Sequence, residues 1–182
     1  MKARAEAKIL FEESYGYLAG THARDKDAVV ASMLICEMAA YYKAQGKTLI
    51  DVMNGLYDEF GYYCNTVQSY TFEGASGMEK MAAIMDGLRV NKPSSFAGYE
   101  VTKIDDYKTS KSTDVKTGEE SEITLPKSNV LAYTLTDGNK VIVRPSGTEP
   151  KIKAYITAVG TSEENAKQIA QKLLKDADEL MK

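Results

Sequence analysis

The residues with the clearest chemical potential form the segment RPSGTEP at positions 144–150, which lies between two strand-like runs. The guanidinium of Arg144 offers paired N–H donors that match the geometry of a phosphate group. Ser146 and Thr148 add two hydroxyl groups. Gly147 can adopt backbone angles that let successive N–H groups form an anion-binding concavity. Taken alone, this segment fits a phosphate-binding turn and a charged loop between two strands equally well.

A second polar cluster, EESYGY at positions 12–17, precedes the first predicted helix. The carboxylate of Glu12 and the hydroxyl of Ser14 can form hydrogen bonds with the hydroxyl groups of a sugar. His22 and Lys26 follow within one loop, and Lys26 can contact an anionic or hydroxyl group. The acidic pair also fits solvated surface charge. His22 has no metal-ligand spacing around it, so the sequence predicts no metal site in this chain.

The composition is that of a globular protein, with 43% hydrophobic and 27% charged residues among 182. The formal net charge of -3 provides no basic field for nucleic acid, so no nucleic-acid partner is expected. No apolar run approaches the roughly 20 residues that span a bilayer, so no membrane partner is expected. Cys36 and Cys64 lie in apolar or aromatic surroundings, which favours free thiols in a reducing, cytoplasmic location.

The first third of the chain is predicted to be mainly helical. One helix is expected over residues 25–45, and its middle, residues 28–40, is apolar almost all round, which predicts burial on more than one side. A second helix begins at Thr48, with Asp51 in a capping-box arrangement. The polar stretch at 66–75 is interpreted as a domain junction.

The rest of the chain changes from helical to strand periodicity. A helix opens at Ser76, with Glu79 in a second capping box. Its predicted inner stripe is Met78, Met81, Ala82, Met85 and Leu88. Four strands follow, two of them joined by a hairpin turn, and a last helix is capped by Thr161 and Glu164. The polar segment 108–122 is expected to be a mobile excursion. The predicted strands cover residues 98–106, 130–135, 140–143 and 151–159.

These elements predict an α+β fold with two domains. Residues 1–66 form a domain that is mainly helical. Residues 67–182 form an antiparallel-sheet domain with helices packed on one face.

The two polar motifs together resemble the α-D-phosphohexomutase superfamily, the phosphoglucomutases and phosphomannomutases. RPSGTEPKIK at 144–153 resembles the phosphate-binding loop of the family's fourth domain. FEESYGYL at 11–18 resembles the sugar-recognition loop of its third domain, and HARDKD at 22–27 resembles the basic segment that follows. SGMEKM at 76–81 resembles the opening of a fourth-domain helix. The resemblance covers nearly the whole chain from Phe11 onward.

The resemblance implies a phosphoglucomutase that interconverts glucose 1-phosphate and glucose 6-phosphate through a bisphosphate intermediate. In the full-length enzyme, a phosphoserine of the first domain and Mg²⁺ held by the second perform the transfer, with glucose 1,6-bisphosphate as the intermediate. Lys153 fits either the phosphate loop or an exposed strand face, and Glu149 is expected to be structural. The sugar-binding candidates are Glu12, Ser14, His22 and Lys26, and the phosphate-binding candidates are Arg144, Ser146, Gly147, Thr148 and Lys153.

The sequence departs from the family pattern because it contains no segment resembling the serine loop and no aspartate cluster resembling the metal loop. The resemblance therefore implies a truncated C-terminal fragment, comprising part of domain 3 plus domain 4. Residues 1–66 would be the incomplete α/β domain 3, and residues 67–182 would be domain 4. The fragment would have no catalytic residue and no bound cofactor of its own, would depend on the missing N-terminal domains, and would be inactive alone. Self-association of the fragment is left open.

Three alternatives remain at this point. The substrate preference could be that of a phosphomannomutase or of a phosphopentomutase, because glucose and mannose differ in the orientation of one hydroxyl. A third alternative is a non-catalytic phosphosugar-binding or interaction module.

Overall fold

A computed structural model of the chain describes residues 9–11, 16–20, 25–74 and 76–181. The chain divides after Glu59 into two compact units. The first contains β1 (Ile9–Phe11), β2 (Tyr17–Ala19), α1 (Ala28–Ala44) and most of α2 (Leu49–Phe60). The second contains β3 (Tyr62–Thr71), α3 (Gly77–Val90), β4 (Ser95–Phe96), β5 (Tyr99–Asp106), β6 (Lys111–Asp114), β7 (Glu120–Glu122), β8 (Leu131–Leu135), β9 (Lys140–Pro145), β10 (Lys151–Gly160) and α4 (Glu163–Leu180).

Helix α1 begins at Ala28, three residues after the predicted start, and an aspartate caps its first turn. The carboxylate of Asp27 accepts hydrogen bonds from the backbone N–H groups of Val29 at 2.9 Å and Val30 at 3.2 Å. Two donors that have no partner inside the helix are thereby satisfied. Gly46 follows the end of the helix with φ of 74°, a left-handed conformation that glycine adopts without strain.

The capping box predicted for α2 is confirmed. The Asp51 carboxylate accepts a hydrogen bond from the backbone N–H of Thr48 at 2.8 Å. In return, the hydroxyl of Thr48 accepts one from the backbone N–H of Asp51 at 3.1 Å. The two residues satisfy each other's donors at the helix N-terminus, so the start of α2 is determined locally.

The expected burial of α1 on several sides is wrong for the described residues. Ala31 is its single buried residue, while Val29 is 80% exposed and Tyr41 is 63% exposed. Burial requires an element facing each apolar side, and the described part of this unit places the short strand β2 against α1. The apolar composition of α1 predicts burial, but the described residues of this unit leave most of the helix exposed.

The second unit is built on one antiparallel sheet with the strand order β3-β10-β9-β8-β5-β6-β7, and β4 pairs with β5 at the side. Helices α3 and α4 pack against it, and α4 contacts both β10 and β3. The predicted α+β class, with helices on one face of an antiparallel sheet, is confirmed. The core between sheet and helices is apolar, and its most deeply buried residues include Met85, Phe96, Leu131, Tyr133, Val141, Ile152, Ile156 and Leu173.

Strand β3 explains the polar stretch that suggested a domain junction. The segment 66–71 is the second half of this strand, and the expected boundary between residues 66 and 67 falls inside it. β3 pairs with β10 over its whole length, from Tyr62 opposite Gly160 to Thr71 opposite Lys151. The segment can be polar because β3 lies at the edge of the sheet, where polar side chains are tolerated.

The expectation of a mobile excursion at 108–122 is wrong, because this segment contains β6 and β7. The two strands pair with each other, and β6 also pairs with β5. Lys111 and Glu120 form an ion pair of 2.7 Å on this hairpin. The strands lie at the edge of the sheet, where polar side chains are tolerated on both faces, so their periodicity is hidden in the sequence.

Helix α3 begins at the expected residue but without the expected capping box. The side chain of Ser76 makes no capping hydrogen bond. Met78 and Ala82, which were assigned to the inner stripe, are exposed. The buried residues are Gly77, Met81, Met85 and Leu88.

Helix α4 is capped one residue later than predicted. The hydroxyl of Ser162 accepts a hydrogen bond from the backbone N–H of Asn165 at 3.1 Å. The side chain of Asn165 in turn accepts from the backbone N–H of Thr161 at 3.0 Å. Asn165 therefore forms the reciprocal capping hydrogen bond that the sequence predicts for Glu164.

Candidate anion-binding site

Strands β9 and β10 bring two of the predicted phosphate-binding residues together. Arg144, near the end of β9, lies directly opposite Lys153 of β10 in the antiparallel ladder. Such partners have their Cβ atoms about 4.5–5.5 Å apart and project from the same face of the sheet. Like charges at this position destabilise a sheet. The pairing therefore concentrates positive charge at one point of the sheet.

The turn between these strands is organised by Ser146. Its hydroxyl oxygen accepts hydrogen bonds from the backbone N–H groups of Thr148 at 3.4 Å and Glu149 at 3.3 Å. Its own backbone N–H donates to the carbonyl oxygen of Lys151 at 2.8 Å, which closes the turn. Local hydroxyl-to-backbone bonds of this kind fix tight turns. Ser146 thus shapes the loop, and its hydroxyl proton remains to be donated outward.

Gly147 differs from the expectation of special backbone angles. It is not among the glycines with positive φ. A Cβ atom built on it would meet no heavy atom within 4 Å. The absence of a side chain therefore leaves open space above the turn, where a ligand can approach the backbone closely.

These residues line a hollow with a volume of about 340 Å³. All five predicted phosphate-binding residues are on its wall. Two further wall residues, Lys151 and Tyr155, were not proposed from the sequence. Alternation along β10 places both on the same face as Lys153, and this period of two was the signal that could have found them. The lining residues are Arg144, Pro145, Ser146, Gly147, Thr148, Glu149, Lys151, Lys153 and Tyr155.

Glu149 is the one carboxylate on this wall, against three cationic side chains. It forms an ion pair of 2.6 Å with Lys151. The hydrogen bond from the Lys151 ammonium is the main cause that lowers the pKa of the Glu149 carboxyl. The carboxylate therefore stays ionised and holds Lys151 at the rim of the hollow.

Arg89 and Arg144 differ in whether the guanidinium group has partners within the protein. Arg89 has a side chain only 14% exposed and is committed to structure. Its guanidinium donates to the Asn129 side chain at 2.6 Å, to the Asp106 carboxylate at 3.3 Å and to the Met85 carbonyl at 3.2 Å. Arg144 is exposed and makes no ion pair or side-chain hydrogen bond with any residue that the structure describes. Its donors face the hollow without a protein acceptor.

Of the four predicted sugar-binding residues, Glu12, Ser14 and His22 lie outside the described residues. Lys26 is described: it is exposed, just before α1, and its backbone N–H donates to the Asp25 carboxylate at 2.7 Å. Lys26 belongs to the first unit and the phosphate candidates to the second.

Neither a metal cluster nor a membrane span is found in the described part of the chain. No three His, Cys, Asp or Glu side chains there could hold a metal ion together. None of the helices found there has the length and apolar character to cross a bilayer.

Profiles of two domains of one family match this chain. Residues 1–60 match the phosphoglucomutase/phosphomannomutase alpha/beta/alpha domain III. Residues 88–175 match the C-terminal domain of phosphoglucomutase/phosphomannomutase.

Curated relatives include two staphylococcal phosphoglucomutases. That of Staphylococcus haemolyticus is 39% identical over 161 residues, which is 88% of this chain and 29% of the relative. That of Staphylococcus aureus strain USA300 is 43% identical over 147 residues, 81% of this chain and 26% of the relative. This chain thus spans less than a third of the length of the relatives it matches.

Among solved structures, the chain is similar to the open form of an exocytosis-sensitive phosphoprotein from Paramecium, pp63/parafusin, described as a phosphoglucomutase. The TM-score is 0.60 at 16% identity, covering 96% of this chain and 30% of that one. At this identity the similarity concerns the fold alone.

Proposed function

This chain belongs to the phosphoglucomutase/phosphomannomutase family, and we propose that it is the substrate-gripping part of a phosphoglucomutase. The hollow at the end of β9 and β10 binds the phosphate group that is not reacting. The intact enzyme interconverts glucose 1-phosphate and glucose 6-phosphate through a bisphosphate. The domains that supply the phosphoserine and the metal site are further parts of the same protein.

The observation that carries this proposal is the facing pair of cations at the mouth of the hollow. Arg144 lies opposite Lys153 in the ladder, and Lys151 is on the same wall. A doubly charged phosphate is attracted to this concentration of positive charge and reduces the repulsion between the facing cations. Guanidinium bonds to phosphate are charge-assisted and frequently bidentate, which fixes the orientation of the ligand.

The hydroxyl-rich turn complements these cations. Ser146 has its oxygen occupied by two backbone N–H groups and donates its proton to a phosphate oxygen. The open space above Gly147 lets that oxygen approach the backbone. Thr148 adds a second hydroxyl on the same wall. These hydroxyl groups and the cations lie on the wall of the same hollow.

Binding the phosphate that does not react assists phosphoryl transfer at the opposite end of the sugar. Catalysis of this reaction depends on positioning and on stabilising charge rather than on covalent work by many side chains. Binding energy from the non-reacting phosphate orients the opposite end of the sugar for the transfer. The sugar hydroxyls are held by Glu12, Ser14, His22 and Lys26 in the first unit, as the family resemblance implies.

Magnesium belongs to this proposal only through the other domains. The family resemblance implies Mg²⁺, but the described residues contain no cluster that fits the ion. No step in this chain is therefore assigned to a metal. A cytoplasmic location is also part of the proposal, supported by the free thiols of Cys36 and Cys64.

The direct test is a titration of the 182-residue chain with glucose 1-phosphate while the amide NMR signals of residues 144–155 are followed. We expect saturable shifts that are confined to these residues. Inorganic phosphate should compete, because the hollow recognises the phosphate group. Unchanged signals at saturating ligand would overturn the phosphate site.

Sugar preference and catalytic competence need the longer protein. Turnover of glucose 1-phosphate should exceed that of mannose 1-phosphate and ribose 1-phosphate in the enzyme that contains the other domains. The 182-residue chain alone should show no turnover. Activity that copurifies with this chain would contradict the division of labour proposed above.

A further inference from the structure

Strand β3 is an outer strand of the sheet. It pairs with β10 along all ten of its residues, and the register contains no bulge. Among the residues that the structure describes, no strand lies on its other side. One edge of β3 therefore presents a long row of backbone groups without a strand partner, which is the arrangement that another chain can extend.

The composition of β3 offers none of the usual protection. Edge strands are commonly shielded by lysine, proline, a bulge or short length. The sequence YYCNTVQSYT contains no charged residue and no proline. At the opposite edge of the same sheet, β7 is three residues long and has two glutamates, Glu120 and Glu122. The β7 edge is therefore protected by charged side chains, whereas the β3 edge has no such protection.

The strand is also held in a defined conformation. The Tyr70 hydroxyl donates to the Asp178 carboxylate of α4 at 2.6 Å. The Thr157 hydroxyl donates to the Asn65 side chain at 2.8 Å. Side-chain hydrogen bonds of Asn65 and Tyr70 thus attach β3 to the rest of the unit, so little conformational entropy would be lost when a partner strand pairs with it.

We propose that the outer edge of β3 pairs antiparallel with β3 of a second copy of this chain. A two-fold axis perpendicular to the sheet relates two antiparallel neighbours and keeps the helices of both copies on the same side. The interface is isologous, so each copy supplies the strand that the other requires. The lack of charge along β3 matters here, because any charge near the axis would face its own copy.

The test is sedimentation of the 182-residue chain under reducing conditions over a wide concentration range. We expect a monomer–dimer equilibrium. Val67 lies near the middle of β3 and is 40% exposed, so Val67→Lys places two like charges close to the axis. Like-charge juxtaposition at an interface costs several kcal/mol, so the dimer should weaken by on the order of a hundredfold.

Two control variants should leave dimerisation unchanged within about twofold. Val67→Thr keeps a branched, uncharged side chain at the same position. Ser121→Lys adds the same charge to the opposite edge strand, β7. Far-UV circular dichroism of each variant establishes that loss of the dimer is not loss of the fold.

A competing mode of association would use the exposed apolar side of α1. Val29→Lys, at a residue that is 80% exposed, weakens that mode and leaves pairing through β3 intact. Hydrogen exchange should show slower exchange of β3 amides as concentration rises. The proposal is overturned by a monomer at all concentrations, by a dimer that Val67→Lys does not weaken, or by one that Val29→Lys abolishes.

Discussion

Arg144 and Lys153 face each other across the β9–β10 ladder, at the mouth of a hollow that also contains Lys151. The strand register places both side chains on the same face of the sheet, because side chains alternate between the two faces along each strand. Like charges that face each other in a ladder repel, and an anion bound in the hollow would offset that repulsion. Phosphate should therefore stabilise the protein as well as bind to it.

Replacing Arg144 by alanine should weaken binding of glucose 1-phosphate about tenfold to a hundredfold, since a charge-assisted hydrogen bond contributes roughly 1.5–3 kcal/mol. Arg144→Lys should give an intermediate loss, because lysine keeps the charge without the planar fork. Calorimetric titration measures both. Lys140→Ala is the matched control: it removes one exposed cation from the same strand and should change affinity less than about twofold.

Ser146→Ala should loosen the turn, because the backbone N–H groups of Thr148 and Glu149 both donate to the hydroxyl that is removed. We expect faster hydrogen exchange of these two amides and weaker phosphate binding. Ser146→Thr keeps the hydroxyl and should restore both properties. Equal exchange rates in the alanine variant and the unmodified chain would refute the role assigned to Ser146.

Acid should release the contact between Glu149 and Lys151. The pKa of Glu149 is lowered in the folded protein, mainly by the hydrogen bond from Lys151. Such a group stabilises the fold above the carboxyl's unfolded pKa, and this contribution is lost as pH falls through the lowered folded value. An NMR titration of the Glu149 side chain should show its midpoint rise in Lys151→Met. An unchanged midpoint would mean that Lys151 is not the cause.

Gly160→Ala should destabilise the second unit. A Cβ atom there would overlap the backbone nitrogen of Ala166 and approach its Cα to 2.8 Å, so the start of α4 must shift. Overpacking of this kind costs about 1–3 kcal/mol. Gly87→Ala, inside α3, meets nothing within 4 Å and should instead stabilise by about 0.5–1 kcal/mol. Urea denaturation of the two variants compares them directly, and equal effects would be inconsistent with this packing.

The sequence by itself determined the features that depend on neighbouring residues. The capping box of Thr48 and Asp51, the hairpin signal before β9 and the turn at 144–150 each involve contacts within a few positions. Hydrogen bonds and backbone preferences act at this range whatever the rest of the chain does. The chemistry of the side chains at 144–153, together with the family resemblance, predicted the phosphate candidates.

The tertiary structure alone decided features that join distant segments. It placed the polar residues 66–71 in a strand, because their partners in β10 lie 80 to 90 positions away in the sequence. It added Lys151 and Tyr155 to the wall of the hollow and put Arg144 opposite Lys153. Strand register and side-chain burial depend on two elements that pair or pack together. A sequence pattern describes only one of those two elements.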